Sequence, residues 1–346
     1  MSTPTEATTP TEATDRPAPG DVAVELTYRE AINAALHDAM AADDAVLLMG
    51  EDVGADGGVF KTNAGLLEAF GPERVRTTPI CENGFLGVAL GMSLVGLRPI
   101  VEIMFADFLP TAGDALVNQL PKYRYMSGGQ TAVPVTIRSI GGATGRFGTQ
   151  HSATGESWFM HLPGLRVVTA SSPGSAYSLL RAAVDDDNPT LYFEHKGLYG
   201  RKGPVQRGEI AELGKAAVLR DGSDVTIVAT LLMVERALAA AEQLASDGID
   251  AAVIDLRWLR PLDLPTVRAS VDKTRRLVVA EEQVHAAGWG ATLVSQLTID
   301  GVDWASAPRR VSLPDDLPIP YTPPLEDEVL PSADRIAEAA RASVRG

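Results

Sequence analysis

Two hydrophobic patterns alternate along this chain from about residue 26 onward. Apolar runs of strand length are separated by segments in which apolar residues follow the helical period of about 3.6. Buried strands separated by helices are typical of a largely parallel sheet with helices on both faces. In the first series the predicted strands are 45–50, 98–105, 133–139, 165–170 and 190–195, and the predicted helices include 28–41, 84–95 and 174–185.

A second series begins after the segment 197–209, which is rich in glycine and charge. Its predicted strands are 224–230, 251–256, 276–282 and 309–313, and its helices lie near 232–246, 265–272, 288–298 and 333–344. A chain of 346 residues has room for two domains of about 150 residues each. We therefore predict an α/β protein with two three-layer α/β/α domains, which cover residues 23–205 and 206–346.

The first 22 residues follow neither pattern. The sequence TPTEAT occurs at 3–8 and again at 9–14, and the segment has almost nothing apolar to bury. We predict a disordered tail over residues 1–22. Its acidic residues and its single arginine do not fit a secretory or transit peptide, so we do not expect a targeting signal.

Composition narrows the classes of function. The chain has 45 acidic and 30 basic residues, and a net charge of −15 disfavours binding to nucleic acid or to an anionic membrane surface. The lone cysteine, Cys81, cannot form an internal disulfide, and the 5 histidines lack the spacing of zinc ligands. No run of about 18 apolar residues predicts a membrane span. We predict a cytoplasmic globular protein.

Candidate chemistry begins at Glu82, in the stretch TPICENGFLG, where a strand is followed by a helix. The simplest interpretation is a favourable interaction with the helix dipole, worth about 0.3–1 kcal/mol. The same helix carries Gly84, Gly87 and Gly91 on one face, and each helical glycine costs about 1 kcal/mol relative to alanine. We expect another backbone to pack closely there, which would partly bury Glu82 and make it a candidate proton-transferring acid.

Several longer motifs follow one another in order: MGEDVG (49–54), GGVFK (57–61), TPICENGFLG (78–87), LRPIVEIMFADF (97–108), YRYMSGG (123–129), QHS (150–152), HLPGLRVV (161–168), FEHKGLYG (193–200) and LPDDLPIPYTPPLE (313–326). Together they resemble the beta subunit of the thiamine-diphosphate-dependent decarboxylating component of 2-oxo acid dehydrogenase complexes. The resemblance extends from about residue 26 to the end. It implies a transketolase-like pyrimidine-binding domain followed by a transketolase C-terminal domain.

The resemblance implies that Glu82 is catalytic. In that family the matching glutamate hydrogen-bonds the aminopyrimidine ring of thiamine diphosphate and promotes deprotonation of the thiazolium carbon. Phe108 would pack against the pyrimidine, Ile80 and Met104 would lie beside the same ring, and Glu51 would lie near the cofactor. Without the resemblance, the three apolar residues would be assigned to core packing and Glu51 to capping of a loop amide.

The resemblance also implies a catalytic role for His151, close to the substrate, although a histidine in a loop is more often a surface residue. Ala153 stands where the family usually has glutamine. Pro121 should kink a helix that is commonly continuous. The glycine-rich segment 141–148 lacks the spacing of a nucleotide-binding loop, so we predict a mobile loop over the active-site entrance.

A turn at 182–189 resembles the family's potassium-binding turn, with Val135, Ala183, Asp186 and Asn188 as candidate ligands, several of them through backbone carbonyls. An Asp-rich turn before a strand is the alternative. The chain lacks the GDG motif and the distant asparagine through which relatives bind the diphosphate and magnesium. The resemblance therefore implies a separate alpha subunit that supplies magnesium, a heterotetramer of two alpha and two beta chains, and a lipoyl acyltransferase core that receives the acyl group.

The sequence leaves alternatives open for both the substrate and the class of protein. Met104 and Phe108 resemble pyruvate- or acetoin-using relatives, so pyruvate is the favoured 2-oxo acid and a branched-chain 2-oxo acid or acetoin is the alternative. A self-sufficient transketolase-like enzyme is disfavoured by the missing diphosphate motif. A non-catalytic assembly relative is disfavoured because Glu82 and His151 are both present.

Overall fold

A computed structural model describes residues 23–345, so the predicted tail over 1–22 lies outside the described residues. The strands are β1 (Val24–Thr27), β2 (Val46–Gly50), β3 (Val75–Thr77), β4 (Arg98–Ile103), β5 (Thr136–Gly141), β6 (Arg166–Thr169), β7 (Thr190–His195), β8 (Lys202–Val205), β9 (Ala217–Arg220), β10 (Val225–Ala229), β11 (Ala251–Asp255), β12 (Trp258–Arg260), β13 (Leu277–Val284) and β14 (Arg309–Leu313).

The helices pack on the faces of the sheets formed by these strands. They are α1 (Tyr28–Ala42), α2 (Leu66–Phe70), α3 (Glu82–Leu94), α4 (Leu120–Met126), α5 (Glu156–Met160), α6 (Pro173–Asp185), α7 (Leu232–Ser246), α8 (Leu264–Thr274), α9 (Trp289–Ile299), α10 (Pro323–Val329) and α11 (Ala333–Arg345). Short 3₁₀ segments cover 55–57, 106–112, 149–151 and 196–198, and a π-helical segment covers 114–119.

Seven strands form the larger sheet, in the order β12-β6-β7-β5-β4-β2-β3. All neighbouring pairs are parallel except β12 with β6, which is antiparallel. The central strands β2, β5 and β7 are buried along their whole length, as expected when helices cover both faces. The carboxyl ends of the parallel strands therefore meet along one edge, where the loops that carry the candidate residues begin.

A second sheet of five strands has the order β14-β13-β10-β11-β9, with only β9 antiparallel to its neighbour, and β1 and β8 form a separate antiparallel pair. The two sheets are linked because β12, which follows the second-half strand β11, adds to the edge of the first-half sheet. Apolar packing is also continuous, because each of the two large hydrophobic clusters contains buried residues from both halves of the chain. The halves therefore form one packed body around the site.

Local sequence explains where the main helices begin. Thr27 and Glu30 form a capping box at the start of α1, and Ser172 and Ser175 form one at the start of α6. Pro173 occupies the first turn of α6, where its missing N–H is not needed. These two helices pack against each other over the same face of the larger sheet.

The predicted α/β fold with two domains is confirmed, and each predicted strand and helix is present. The division at residue 205 stays a prediction. The expected close packing against the glycine face of α3 does not occur within the described chain: nothing lies within 4 Å of a β-carbon built on Gly87 or Gly91. At Pro121 the helix changes from π to α geometry, because the proline ring cannot fit a regular helical ladder.

Candidate functional site

The candidate residues lie at the carboxyl ends of neighbouring parallel strands. Glu51 directly follows β2, Glu82 begins α3 after β3, and Met104 and Phe108 follow β4. The Thr78 N–H donates a hydrogen bond of 2.9 Å to the Gly50 carbonyl, which holds the segment before Glu82 against the end of β2. The topology thus brings together residues separated by more than fifty positions in sequence.

Glu51 and Glu82 form an acidic pair at this edge. Burial raises the pKa of the Glu51 carboxyl, and the nearby charges of Glu82 and Asp52 raise it further. The Oε1 atom of Glu51 is buried and has no hydrogen-bond partner among the described residues. The Glu82 carboxyl is half-buried and makes no hydrogen bond or ion pair with another described residue. Both carboxyls are therefore available to a bound molecule.

An aromatic cluster centred on Phe105 lies at the same edge of the sheet, just after β4. The Phe105 ring makes edge-to-face contacts with Phe108 at 5.7 Å and with His151 at 4.8 Å between centroids. His151 also contacts Phe108 at 5.5 Å. Phe60 and Phe147 lie 5.7 and 6.1 Å from the Phe105 ring. The structure thus joins two predicted residues, Phe108 and His151, through a phenylalanine that the sequence interpretation did not select.

The remaining predicted cofactor residues differ in exposure. Met104 is half-buried, whereas 82% of the Ile80 side chain is exposed. Ile80 therefore does not pack in the core, which was the alternative to a role at the cofactor. An isoleucine this exposed beside two available carboxyls leaves the site open on one side within this chain.

The loop that carries His151 is anchored by both domains. The Ala153 N–H donates to the Asp107 carboxylate at 3.2–3.3 Å, and the Ala143 N–H donates to Glu282 Oε1 at 2.6 Å. The Thr144 N–H donates to Glu326 Oε1 at 3.1 Å, and Arg146 pairs with the same glutamate. In this conformation the loop is held at many points, and the mobility expected for 141–148 stays a prediction.

Close packing explains the glycine at the start of this loop. Gly142 has a φ of +84°, and a β-carbon on it would lie 2.0 Å from His195 Nε2. The His195 Nε2 atom is 3.0 Å from Glu282 Oε2, in contact with the second domain. Burial opposes ionisation of Glu282, but the contact with His195 and other hydrogen bonds lower its pKa overall. Glu282 is therefore a charged link between the two domains and the loop.

A buried ionic network lies beneath the aromatic cluster. Arg138 donates to Glu194 Oε1 at 2.7 Å and to Glu102 Oε2 at 2.9 Å, and all three side chains are almost fully buried. Asn63 and Tyr199 complete the hydrogen bonds of the two carboxylates. Because β4, β5 and β7 each contribute one charged residue, the network fixes the ends of the strands from which the site loops start.

The four candidate potassium ligands lie together at the other end of the sheet. The Ala183 carbonyl accepts from Thr136 Oγ1 at 3.1 Å, and the Val135 carbonyl accepts from the Thr190 N–H at 3.0 Å. The Asp186 carboxylate pairs with Arg166, and Asn188 Oδ1 accepts from Arg124 at 2.8 Å. The two side chains are thus already engaged, and the carbonyl oxygens keep free lone pairs.

The described residues, 23–345, also form clefts near and away from the candidate site. A cleft of about 330 Å³ lies between the domains beside the His151 loop, lined by Asp107, Thr149 and Trp158 among others. A larger cleft of about 760 Å³ is lined by His161 and Arg260 among others, and none of the predicted cofactor residues lines either cleft. Within these residues no group of three or more His, Cys, Asp or Glu could hold a metal ion. No described helix could span a membrane.

Comparisons with known proteins agree with this architecture. Residues 24–202 match the family described as transketolase, pyrimidine binding domain, and residues 214–336 match the transketolase C-terminal domain. Pyruvate dehydrogenase E1 component subunit beta of Rickettsia conorii is 43% identical over 92% of this chain and 98% of its own length. The chain belongs to this transketolase-like family of beta subunits.

Other relatives in the family carry different names. The mitochondrial pyruvate dehydrogenase E1 subunit beta-2 of Oryza sativa subsp. japonica is 43% identical over 92% of this chain and 86% of its own length. The beta subunit of acetoin:2,6-dichlorophenolindophenol oxidoreductase from Cupriavidus necator is 41% identical, with coverage of 94% and 99%. A split-gene transketolase described as an inactive beta4 tetramer has a TM-score of 0.76 at 24% identity, over 94% of this chain and 99% of that one, which supports the fold.

Proposed function

We propose that this chain is the beta subunit of the decarboxylating component of a 2-oxo acid dehydrogenase complex, and that it binds the pyrimidine half of thiamine diphosphate. The observation that carries the proposal is that one sheet edge, at the carboxyl ends of β2 and β4, carries both the interacting pair Glu51 and Glu82 and the cluster of the Phe105, Phe108 and His151 rings. Carboxyls and aromatic rings at one sheet edge fit an aminopyrimidine, which offers ring nitrogens to a carboxyl and a flat face to a phenylalanine.

The residues present fit the cofactor. The unpartnered Glu51 Oε1 and the free Glu82 carboxyl provide acceptors, and Phe108, Met104 and Ile80 provide apolar contacts. Thiamine diphosphate supplies, when bound, the carbon nucleophile that attacks a 2-oxo group. Glu82 would hold a proton shared with a nitrogen of the pyrimidine ring, Glu51 would support it from beside the same site, and His151 would transfer protons close to the substrate.

The other half of the site is proposed to come from an alpha subunit, in a heterotetramer of two alpha and two beta chains. The missing diphosphate motif, the exposed Ile80 and the open glycine face of α3 support this proposal. A helix with Gly87 and Gly91 on its exposed face can accept another helix at close range. Magnesium and the diphosphate would be held by the alpha subunit.

We propose pyruvate as the substrate and a lipoyl group on an acyltransferase core as the acceptor. The pyruvate dehydrogenase relatives support this choice, and the acetoin-oxidising relative from Cupriavidus necator supports acetoin as a second candidate. A methylene group in an apolar pocket changes selectivity by only about 1–3 kcal/mol, so Met104 and Phe108 do not separate these substrates. A cytoplasmic location stays a prediction.

Dye-coupled oxidation tests the proposal. The chain is co-expressed with its candidate alpha subunit and assayed with pyruvate, 3-methyl-2-oxobutanoate and acetoin, in the presence of magnesium and thiamine diphosphate. We expect activity with pyruvate that is absent when the chain is assayed alone. A stable heterotetramer that oxidises none of the three would contradict a catalytic beta subunit, and tight cofactor binding by the isolated chain would favour a self-sufficient enzyme.

We also propose a potassium ion at the turn formed by Val135, Ala183, Asp186 and Asn188, bound chiefly through carbonyl oxygens. KCl should raise the midpoint of thermal unfolding relative to NaCl at equal ionic strength, by about 2–4 °C at tenfold its dissociation constant. Thr136→Val, which removes the hydroxyl that orients the Ala183 carbonyl, should reduce this difference. Equal midpoints in the two salts would argue against the site.

A further inference from the structure

Lys196 is a buried lysine that lies between the two ends of the His151 loop. It begins the 3₁₀ segment after β7, and only 9% of the residue is exposed. Its Nζ atom donates hydrogen bonds to the carbonyl oxygens of Gly142 and His151. These two carbonyls mark the start of the loop and the candidate catalytic residue itself. One ammonium group therefore connects the start of the loop, at Gly142, with its far end, at His151.

The surroundings of this ammonium group are not those of a structural ion pair. No carboxylate of the described residues lies within 4 Å of Nζ. Instead Nζ lies 5.6 Å from the centroid of the Phe105 ring and 5.2 Å from that of Phe147, at cation–π distance. Phe105 is the ring against which His151 packs. Lys196 thus contacts the backbone of His151 and the aromatic support of its imidazole.

Three carboxylates face Lys196 from farther away, each on a different element. Asp107 lies in the 3₁₀ segment after β4, Glu282 lies in β13, and Glu326 lies in α10. The neighbouring His195 ring contacts Glu282. Burial lowers the pKa of the Lys196 ammonium to about 8, although the three carboxylates oppose the change. Two of these carboxylates, Glu282 and Glu326, also hold the loop backbone.

We propose that Lys196 is a positioning residue for His151: its ammonium group ties the carbonyls of Gly142 and His151 and so holds the imidazole against Phe105 and Phe108. The inference rests on the proposed function only in that it gives His151 a role in catalysis. A lysine suits this task because its ammonium group can donate to two carbonyls while its stem remains in apolar surroundings.

The positioning role predicts a pH dependence of activity. Hydrogen bonds from a charged donor are about twice as strong as those from a neutral one, so loss of the proton near pH 8 should loosen the loop. We expect kcat to fall along an alkaline limb with an apparent pKa near 8.

Unfolding at alkaline pH would not explain this expected fall of kcat. The ammonium has a lower pKa in the folded state than its ordinary 10.5, so between pH 8 and 10.5 the unfolded chain binds more protons. The contribution of Lys196 to the free energy of unfolding therefore rises with pH over this range. Activity and this contribution to stability should change in opposite directions.

Two substitutions test the proposal in the complex with the alpha subunit. Lys196→Met keeps the stem and removes the donor, and should lower kcat about 10- to 100-fold with a smaller change in KM, because misplacement of a catalytic group acts on the chemical step. Lys196→Arg keeps a charged donor and should move the alkaline limb upward by about one pH unit or more. Lys202→Met, at an exposed position in β8, is the control.

Hydrogen exchange provides a readout that does not depend on activity. At pH 7 we expect faster exchange in residues 142–155 of Lys196→Met than in the wild type or Lys202→Met. A wild-type kcat and alkaline limb in Lys196→Met would overturn the proposal, as would lost activity without faster exchange in the loop. An unmoved limb in Lys196→Arg would also overturn it. If the wild-type complex has no activity but the loop still loosens, the proposed function fails and the positioning contact stands.

Discussion

Replacing Glu82 with glutamine is expected to lower 2-oxo acid oxidation about 10²- to 10⁴-fold in the complex with the alpha subunit, because proton transfer by a positioned side chain contributes that much to catalysis. Glutamine keeps the size and the hydrogen-bonding oxygen of Glu82 but cannot exchange a proton. The fold should be unaffected, since the half-buried Glu82 carboxyl makes no hydrogen bond or ion pair with other described residues.

The measurement is the dye-coupled rate at saturating thiamine diphosphate, together with the midpoint of thermal unfolding. Glu68→Gln, an exposed glutamate on α2, serves as the matched control. Removal of the Glu82 charge also removes one of the two charges that raise the pKa of Glu51, so the Glu51 carboxyl should ionise at lower pH in the variant. A variant that oxidises pyruvate at the wild-type rate would show that Glu82 has no part in proton transfer.

Sequence pattern was sufficient for the fold because the central strands are buried on both faces. β2 is a continuous apolar run, and β5 and β7 combine apolar and β-branched residues with the buried charges Arg138 and Glu194. Each strand is bounded by helical segments, so its position follows from the sequence pattern. Pattern could not predict β12, because three residues after a second-half strand add antiparallel to the edge of the other sheet. That pairing depends on tertiary packing, which leaves no local signal.

In the candidate site, too, some residues can be predicted from local sequence and others depend on tertiary packing. Phe108 and His151 are predicted only from motifs that resemble a known family, whereas Glu82 is also a candidate from its place at the start of a glycine-bearing helix. Phe105 lies in the same motif as Phe108, but a buried phenylalanine after a strand is indistinguishable by sequence from a core residue. Lys196 was missed for another reason: its neighbours Gly142 and His151 are 54 and 45 residues away, and only the sheet order brings them together.

The exposed glycines of α3 are a sequence feature that the structure of one chain does not explain. The cost of Gly87 and Gly91 predicts that another backbone approaches this helix closely, and no such contact occurs within the described chain, so a close contact with a partner stays a prediction. If the alpha subunit supplies that partner, as proposed, the folding cost of the glycines is offset only on assembly. The sequence of one subunit then records a contact that its own fold does not contain.

Replacing Arg138 with methionine is expected to destabilise the protein by about 3–5 kcal/mol, because removal of one partner from a buried ionic group leaves uncompensated charge. Glu102 and Glu194 would face each other with no cation between β4 and β7. Burial already raises the pKa of Glu194 even with Arg138 present, so the Glu194 carboxyl should be still harder to ionise in the variant.

The raised pKa of the Glu194 carboxyl determines how the stability of the variant depends on pH. A carboxyl whose pKa is raised in the folded state stabilises the protein below its ordinary pKa of 4.5, and this contribution is lost as pH rises through the folded value. The loss of unfolding free energy in Arg138→Met relative to the wild type should therefore be larger at pH 7 than at pH 5. The midpoints of urea unfolding at the two pH values measure this difference.

A triple variant separates charge imbalance from lost packing. Arg138→Met combined with Glu102→Gln and Glu194→Gln removes the whole set of charges and should recover most of the stability at pH 7. A triple variant as unstable as Arg138→Met would instead indicate that the guanidinium's hydrogen bonds to β4 and β7 matter more than its charge. In that case loosening of these strand ends should also lower the activity that depends on His151, because the site loops start from them.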